Sequence, residues 1–168
     1  MIYMIVILLW VALDQYSKYL VRTGMSLGET IPLLEDIFHL TYVNNYGAAF
    51  GIFQGKQVFL IIFTLIALVG IAVYLFTQRK KLNWYLLLAM ALVVGGGIGN
   101  LIDRIVFGYV VDFLDFRLWS PVFNVADVGV CCGCALMILG VFLAEPKYKK
   151  RDRGEQDDEE RGNEYNEW

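Results

Sequence analysis

Residues 58–76 read VFLIIFTLIALVGIAVYLF, a stretch that contains no charged side chain. A helix needs about 20 apolar residues to cross the hydrocarbon core of a bilayer, and this stretch is long enough. Further apolar runs cover residues 2–21, 82–105 and 122–144. Because backbone groups in hydrocarbon must be hydrogen-bonded within their own segment, each run is predicted to be a helix. The sequence therefore predicts an all-α membrane protein with four transmembrane helices.

The composition agrees with a membrane protein. The chain has 168 residues, is 58% hydrophobic and has a mean hydropathy of +0.54, whereas soluble domains are closer to half apolar. The net charge of −3 comes from residues 145–168, which contain nine acids and six bases against eight of each elsewhere. The charge is thus a property of the tail and does not indicate a nucleic-acid-binding surface.

The segments between the apolar runs differ in length and character. Residues 77–81 form a short basic turn, and residues 107–121 are predicted to be a loop. Residues 22–57 are too long for a turn and include Ile37–Val43, which is rich in strand-forming residues. We therefore expect a small extracytoplasmic β-sheet between the first two helices, at about residues 23–56. Residues 1–146 form one transmembrane domain, and the charged tail 147–168 is expected to be disordered.

The basic residues predict the orientation in the membrane. Cytoplasmic loops are enriched in Lys and Arg, and the 77–81 turn and the start of the tail lie on the same side of the four predicted spans. Both termini are therefore expected in the cytoplasm, with the sheet and the 107–121 loop outside. The basic residues on the cytoplasmic side are Arg79, Lys80, Lys81, Lys147, Lys149, Lys150, Arg151 and Arg153.

Polar side chains gather at the outer ends of the predicted helices. Ionisable groups inside a membrane are costly and are candidates for function. The span assignment alone brings all of them to one leaflet. The cluster comprises Asp14, Lys18, Asn45, Asn100, Asp103, Arg104, Asp112, Asn124 and Asp127.

Two readings of this cluster stay open at the level of residue spacing. Asp14 with Lys18, and Asp103 with Arg104, could form pairs that hold the helices together. Asp112 and Asp127 have no base near them in sequence, and two such carboxyl groups close together would share a proton. A shared proton suits the activation of water for attack on an amide. Asp115 and Asp103 are rivals of Asp112 for a place in that pair.

Other motifs favour structural roles. Gly95 and Gly99 are spaced to allow close helix packing, and no preceding strand supports a dinucleotide-binding loop. The cysteines lie within the last apolar run and are interpreted as small apolar side chains. His39 is the one histidine of the sequence, which argues against a His-based triad or a zinc protease. The cysteines are Cys131, Cys132 and Cys134.

Five motifs in order resemble the bacterial lipoprotein signal peptidase family, also called signal peptidase II. They cover the chain from the first to the fourth predicted helix, and the tail lies outside them. The motifs are DQYSK at 14–18, NYGAAFG at 45–51, GGIGNLIDR at 96–104, VVDF at 110–113 and FNVAD at 123–127.

The resemblance implies an aspartic endopeptidase that cuts prolipoproteins just before a diacylglyceryl-modified cysteine, at the outer leaflet of the bacterial cytoplasmic membrane. It implies Asp112 and Asp127 as the catalytic pair, and it favours Asp112 over its rivals. It implies inhibition by globomycin and no metal or cofactor. The expected partners are the diacylated prolipoprotein and membrane lipid, with no nucleic acid, and the chain is expected to be a monomer.

The resemblance also assigns secondary roles. The resemblance implies that four polar residues bind the substrate or shape the pocket and that three ionisable residues support the site. The binding residues are Asn45, Asn100, Arg104 and Asn124, and the supporting residues are Asp14, Lys18 and Asp103.

Two other functions fit a membrane protein with buried acids. A proton-coupled transporter usually places its site near the bilayer midplane and often has repeated halves, whereas these acids lie near one interface and no internal repeat is evident. A non-catalytic assembly or anchoring protein has little reason to retain acids without partners.

Overall fold

A computed structural model of the protein describes residues 2–47, 52–78, 80, 82–118 and 121–142. The predicted disordered tail at 147–168 therefore lies outside the described residues, as does the end of the last apolar run.

The described residues include four helices that are long and apolar enough to cross a membrane. They are α1 (Ile2–Gly24), α2 (Gln57–Gln78), α3 (Trp84–Phe107) and α4 (Val125–Phe142). Most of their apolar side chains point outward, and only 6% of the most apolar window of α2 is buried inside the protein. An apolar exterior of this kind suits lipid, and the predicted fold class is confirmed.

The sheet is larger than predicted and is built from two parts of the chain. Its strands are β1 (Thr30–Leu34), β2 (Phe38–Asn45), β3 (Val110–Phe116) and β4 (Val122–Phe123). They are antiparallel neighbours in that order. β1 and β2 lie between α1 and α2 as predicted, but β3 and β4 come from the segment between α3 and α4. The loop prediction for 107–121 was thus wrong for β3. The fourth apolar run was predicted to begin at residue 122, but α4 begins at Val125 because residues 122–123 pair with β3.

The register of β2 and β3 fixes the position of Asp112. Val43 lies opposite Asp112, and Asn45 lies opposite Val110. A buried apolar cluster joins this part of the sheet to the C-terminal end of α1 and thereby fixes β3 relative to that helix. The cluster consists of Val21, Tyr42, Val111 and Phe113.

The glycines of α3 allow close packing against both neighbouring helices, as their spacing predicted. A Cβ atom on Gly96 would collide with the carbonyl oxygen of Ala126 and lie 2.9 Å from Cγ2 of Val130. A Cβ atom on Gly99 would collide with the carboxylate of Asp14. Small residues at these points therefore bring α1, α3 and α4 close enough for their polar side chains to meet.

Gly96→Ala is expected to destabilise the protein, by roughly 1–3 kcal/mol, because the added methyl group meets backbone that cannot move aside. The measurement is the thermal unfolding midpoint of the purified protein in detergent. Gly70→Ala is the control, since nothing lies within 4 Å of its new Cβ atom. Equal midpoints for the two variants would contradict the packing described here.

Candidate active site

Asp112 and Asp127 meet at the junction of β3 and α4, and Asn124 contacts both. The Nδ2 atom of Asn124 donates to Oδ1 of Asp112 at 2.6 Å. The backbone N–H of Asn124 donates to Oδ2 of Asp127 at 3.1 Å. The two carboxyl groups predicted to form a pair therefore share one neighbour, although Asp112 lies on a strand and Asp127 on a helix.

The start of α4 places Asp127. Asn124 precedes the first helical residue, and its Oδ1 atom accepts from the backbone N–H of Asp127 at 2.9 Å. Together with the bond from the Asn124 N–H to the Asp127 carboxylate, this is a reciprocal capping box. One local motif thus both begins the helix and orients two residues of the site.

Asn100 links the pair to the rest of the site. Its Nδ2 atom donates to Oδ1 of Asp127 at 2.8 Å. Its Oδ1 atom accepts from Lys18 at 2.9 Å and from Asn124 at 3.1 Å. Each side-chain polar atom of Asn100 is therefore used, and the orientation of its amide is fixed by its neighbours.

Lys18 lies at the centre of the network. Its ammonium group lies 2.9 Å from Asp14 and 3.1 Å from Asp103, and these three side chains are only 2%, 0% and 1% exposed. With Asn100 as third acceptor, all three ammonium donors have a partner. The predicted Asp14–Lys18 pair is confirmed. The Asp103–Arg104 pair is wrong, because adjacent residues of a helix do not face each other.

The two acids beside Lys18 also anchor neighbouring backbone. Asp14 accepts from the N–H of Ala126 at 2.8 Å, in the first turn of α4. Asp103 accepts from the N–H of Val111 at 3.0 Å, next to Asp112.

Gln15 was missed by the sequence analysis. Its Nε2 atom lies within hydrogen-bonding distance of Asp14, at 3.1 Å, and of Asp103, at 3.0 Å. A polar residue adjacent to Asp14 in an apolar run was the signal that could have identified it.

Asn45 and Arg104 form the rim of the site. Asn45 donates to Oδ2 of Asp112 at 2.8 Å and accepts from the N–H of Gly47 at 2.9 Å. Arg104 donates to the carbonyl oxygens of Asn100 at 3.4 Å and Gly47 at 3.2 Å. Within the described residues the Nε atom of Arg104 has no hydrogen-bond partner.

Burial dominates the electrostatics of Asp112, which is 3% exposed. Burial away from solvent is the largest cause, and the negative charge of Asp127 is the second; together they raise the pKa of Asp112 to about 7. Hydrogen bonds from Asn45 and Asn124 act in the opposite direction and favour the ionised form. At neutral pH, Asp112 therefore holds a proton for a substantial part of the time.

The rivals of Asp112 are engaged elsewhere. Asp115 accepts from Thr41 at 2.7 Å and pairs with Arg117 at 3.5 Å. It lies three residues from Asp112 along the strand, so its side chain points to the opposite face. Asp103 faces Lys18 and the start of β3. The structure thus places Asp112, of the three candidates, beside Asp127.

A cavity of about 790 Å³ opens at the carboxyl pair. One part of its wall is polar and includes Asn45, Arg104 and both aspartates. The remainder is mostly apolar and lies along α2, α3 and α4. Among the described residues no group of three or more His, Cys, Asp or Glu side chains could hold a metal ion. Apolar lining residues include Phe63, Ala67, Leu68, Ile71, Val93 and Val130.

Comparison with known proteins gives consistent matches. A family model described as signal peptidase (SPase) II matches residues 6–143. A lipoprotein signal peptidase of Halothermothrix orenii is 48% identical over 141 residues, which cover 84% of this chain and 95% of the relative. Another, from Brevibacillus brevis, is 48% identical over 134 residues, which cover 79% and 89%.

A solved structure is also similar. It is described as a bacterial membrane enzyme determined by the in meso method at 2.3 Å resolution. It matches with a TM-score of 0.78 and 34% identity, over 83% of this chain and 87% of that chain.

Lys18→Met is expected to destabilise the protein by about 3–5 kcal/mol, because it leaves Asp14 and Asp103 buried without a cation. The measurement is the free energy of unfolding in detergent near neutral pH. Lys56→Met is the control, since Lys56 is exposed. A Lys18 variant as stable as this control would show that the buried ion pairs do not hold the helices together.

Proposed function

Because the chain belongs to the signal peptidase II family, we propose that it removes the signal peptide from diacylglyceryl-modified prolipoproteins by an aspartic mechanism. The cut falls just before the lipidated cysteine, at the outer leaflet of the bacterial cytoplasmic membrane. The observation that supports the aspartic mechanism most strongly is the Asp112–Asp127 pair, bridged by Asn124 at the head of the cavity.

The two aspartates take different roles in this mechanism. Two hydrogen bonds to the Asp127 carboxylate, from the amide of Asn100 and from the N–H of Asn124, favour its ionised form. The positive end of the α4 dipole acts in the same direction. Asp127 is therefore the general base, which removes a proton from the attacking water. Asp112, with its raised pKa, holds the shared proton and polarises the scissile carbonyl.

Collapse of the resulting tetrahedral species completes the reaction. The proton taken from water passes to the amide nitrogen, and the carbon–nitrogen bond then breaks. The products are a signal peptide with a new carboxylate and a mature protein with a free amino group on its lipidated cysteine. The pair returns to its starting state with one proton shared between the two carboxyl groups.

The cavity has a polar end at the carboxyl pair and mostly apolar walls elsewhere. It therefore suits a mostly apolar substrate whose scissile peptide bond lies at the polar end. The apolar surfaces of α2, α3 and α4 accommodate the apolar part of a signal peptide or acyl chains, and the polar end receives its backbone. Asn45 and Arg104 lie where they can bind backbone groups. The Nε atom of Arg104, which has no partner in the described part of the chain, is a donor for this purpose. Asn100 and Asn124 shape the pocket by holding the carboxyl groups.

The supporting residues act through charge and position. Lys18 forms ion pairs with Asp14 and Asp103 and orients Asn100. Asp14 and Asp103 in turn hold the backbone next to Asp127 and Asp112. In the proposed orientation both termini are cytoplasmic and the site lies at the outer leaflet, where a prolipoprotein presents its cleavage site. We further propose that the chain acts as a monomer and that the tail takes no part in catalysis.

Asp112→Asn and Asp127→Asn are each expected to reduce cleavage of a diacylated prolipoprotein by about 100-fold or more, because an amide can neither remove nor supply the proton. The measurement is the shift of the substrate band on a gel, with purified protein in detergent. The unfolding midpoint of each variant shows whether it is folded.

Asp115→Asn is the matched control for this test, since Asp115 lies on the same strand but faces away from the pair. It should retain near-normal cleavage. Near-normal activity of the Asp112 or Asp127 variant, or a loss confined to Asp115→Asn, would overturn the assigned pair.

The pH dependence tests the role of Asp112. Cleavage should decline as the pH rises through about 7, because Asp112 then loses the proton that the mechanism requires. Asn45→Ala removes a hydrogen bond that lowers the pKa of Asp112, so this decline should move to higher pH. The measurement is kcat/KM as a function of pH for both proteins. An unchanged or lower midpoint in the variant would contradict the role of Asp112 as the acid.

A further inference from the structure

Trp10 lies one helical turn before Asp14 on α1 and is outside the motifs that define the site. Its indole Nε1–H donates to the carbonyl oxygen of Val125 at 3.2 Å. The carboxylate of Asp14 accepts from the N–H of Ala126 at 2.8 Å. The carbonyl of residue 125 and the N–H of residue 126 belong to the same peptide group. Two side chains of α1 therefore hold both polar ends of one peptide group of α4.

We propose that Trp10 is a positioning residue for the cleavage reaction, acting with Asp14 as a clamp on the peptide group that precedes Asp127. This inference rests on the proposed function of the carboxyl pair.

The spacing on α1 makes the clamp possible. Residues four apart lie one above the other on the same helix face, so Trp10 and Asp14 can approach one peptide group of α4 from its two polar ends. α1 and α4 run in opposite directions through the predicted membrane. The deeper residue, Trp10, therefore meets the inward-pointing carbonyl, and Asp14 meets the outward-pointing N–H.

Two glycines make room for the indole ring. A Cβ atom on Gly129 would collide with Nε1 of Trp10, and one on Gly95 would lie 3.1 Å from its Cβ atom. Gly129 is on α4 and Gly95 is on α3, so the ring lies in a slot formed by both helices. Close packing against backbone on two sides leaves the indole little freedom to rotate away from the Val125 carbonyl.

The clamp has a direct consequence for Asp127. Rotation of the peptide group between residues 125 and 126 would move the next residue, and Asp127 contacts Asn100 at 2.8 Å and the N–H of Asn124 at 3.1 Å. A small displacement would lengthen both bonds. Misplacement of a catalytic group by about 1 Å can cost 100-fold in rate, so partial loss of the clamp should lower the rate by less.

The test removes the donor and keeps the ring. Trp10 is replaced with 3-benzothienylalanine, which has the same bicyclic shape but no N–H, and separately with Phe. The benzothienylalanine variant of the full chain should fold with a near-normal midpoint, whereas the Phe variant, which leaves part of the slot empty, should be less stable. The expected result is a fall in kcat of about threefold to tenfold with KM changed less than twofold, because binding surfaces away from Asp127 are unaffected. Trp84→Phe is the control, since Trp84 is 70% exposed, and it should match the wild type.

An unchanged kcat in the benzothienylalanine protein would overturn the proposal, as would a change confined to KM. Hydrogen–deuterium exchange across residues 125–127 supplies a readout that needs no substrate, and exchange should be faster in the variant. Equal exchange rates would also overturn the clamp. Wild-type protein that leaves a diacylated prolipoprotein uncut would count against the proposed function, and the exchange result would then decide the clamp by itself.

Discussion

The buried ammonium group of Lys18 is the interaction on which the rest of the structure depends. It lies between the carboxylates of Asp14 and Asp103 and donates to Asn100. Carboxylates at this depth would be too costly without a cation, because charge removed from water must be paired and hydrogen-bonded. Lys18 therefore makes it possible for a small membrane protein to concentrate four aspartates at one end of its helices.

The two carboxylates that form ion pairs with Lys18 also make the contacts that assemble the site. Asp14 bonds to the first turn of α4, and Asp103 bonds to the first residues of β3. Asp127 and Asp112 lie on these two elements. Close packing through Gly96 and Gly99 brings α1, α3 and α4 within reach of these short polar side chains. Charge, backbone hydrogen bonds and helix packing thus all act on the two positions of the proposed catalytic pair.

Hydropathy was sufficient to predict the four membrane-spanning helices. Their alternating directions were sufficient to predict that the acids lie at the same end of the helix bundle. Strands β3 and β4 could not be predicted from their own residues, because they are stabilised by pairing with β2 and with each other. The predicted ion pair of Asp103 with Arg104 was wrong for a similar reason. Arg104 is the neighbour of Asp103 in sequence, but the cation that contacts Asp103 is Lys18, which lies on α1. Trp10 acts through a contact with distant backbone, which leaves no local pattern. Gln15 could have been identified as a polar residue beside Asp14 in an apolar run.

Mass analysis of the products formed from a purified diacylated prolipoprotein tests the central claim most directly. Two products are expected: a signal peptide ending in a free carboxylate, and a mature protein that begins with the diacylglyceryl-modified cysteine. In water enriched in ¹⁸O, one heavy oxygen should enter the new carboxylate of the signal peptide during a single turnover, as expected for attack by water activated by Asp127. Intact precursor, a cut at another bond, or a new carboxylate without the heavy oxygen would contradict the account.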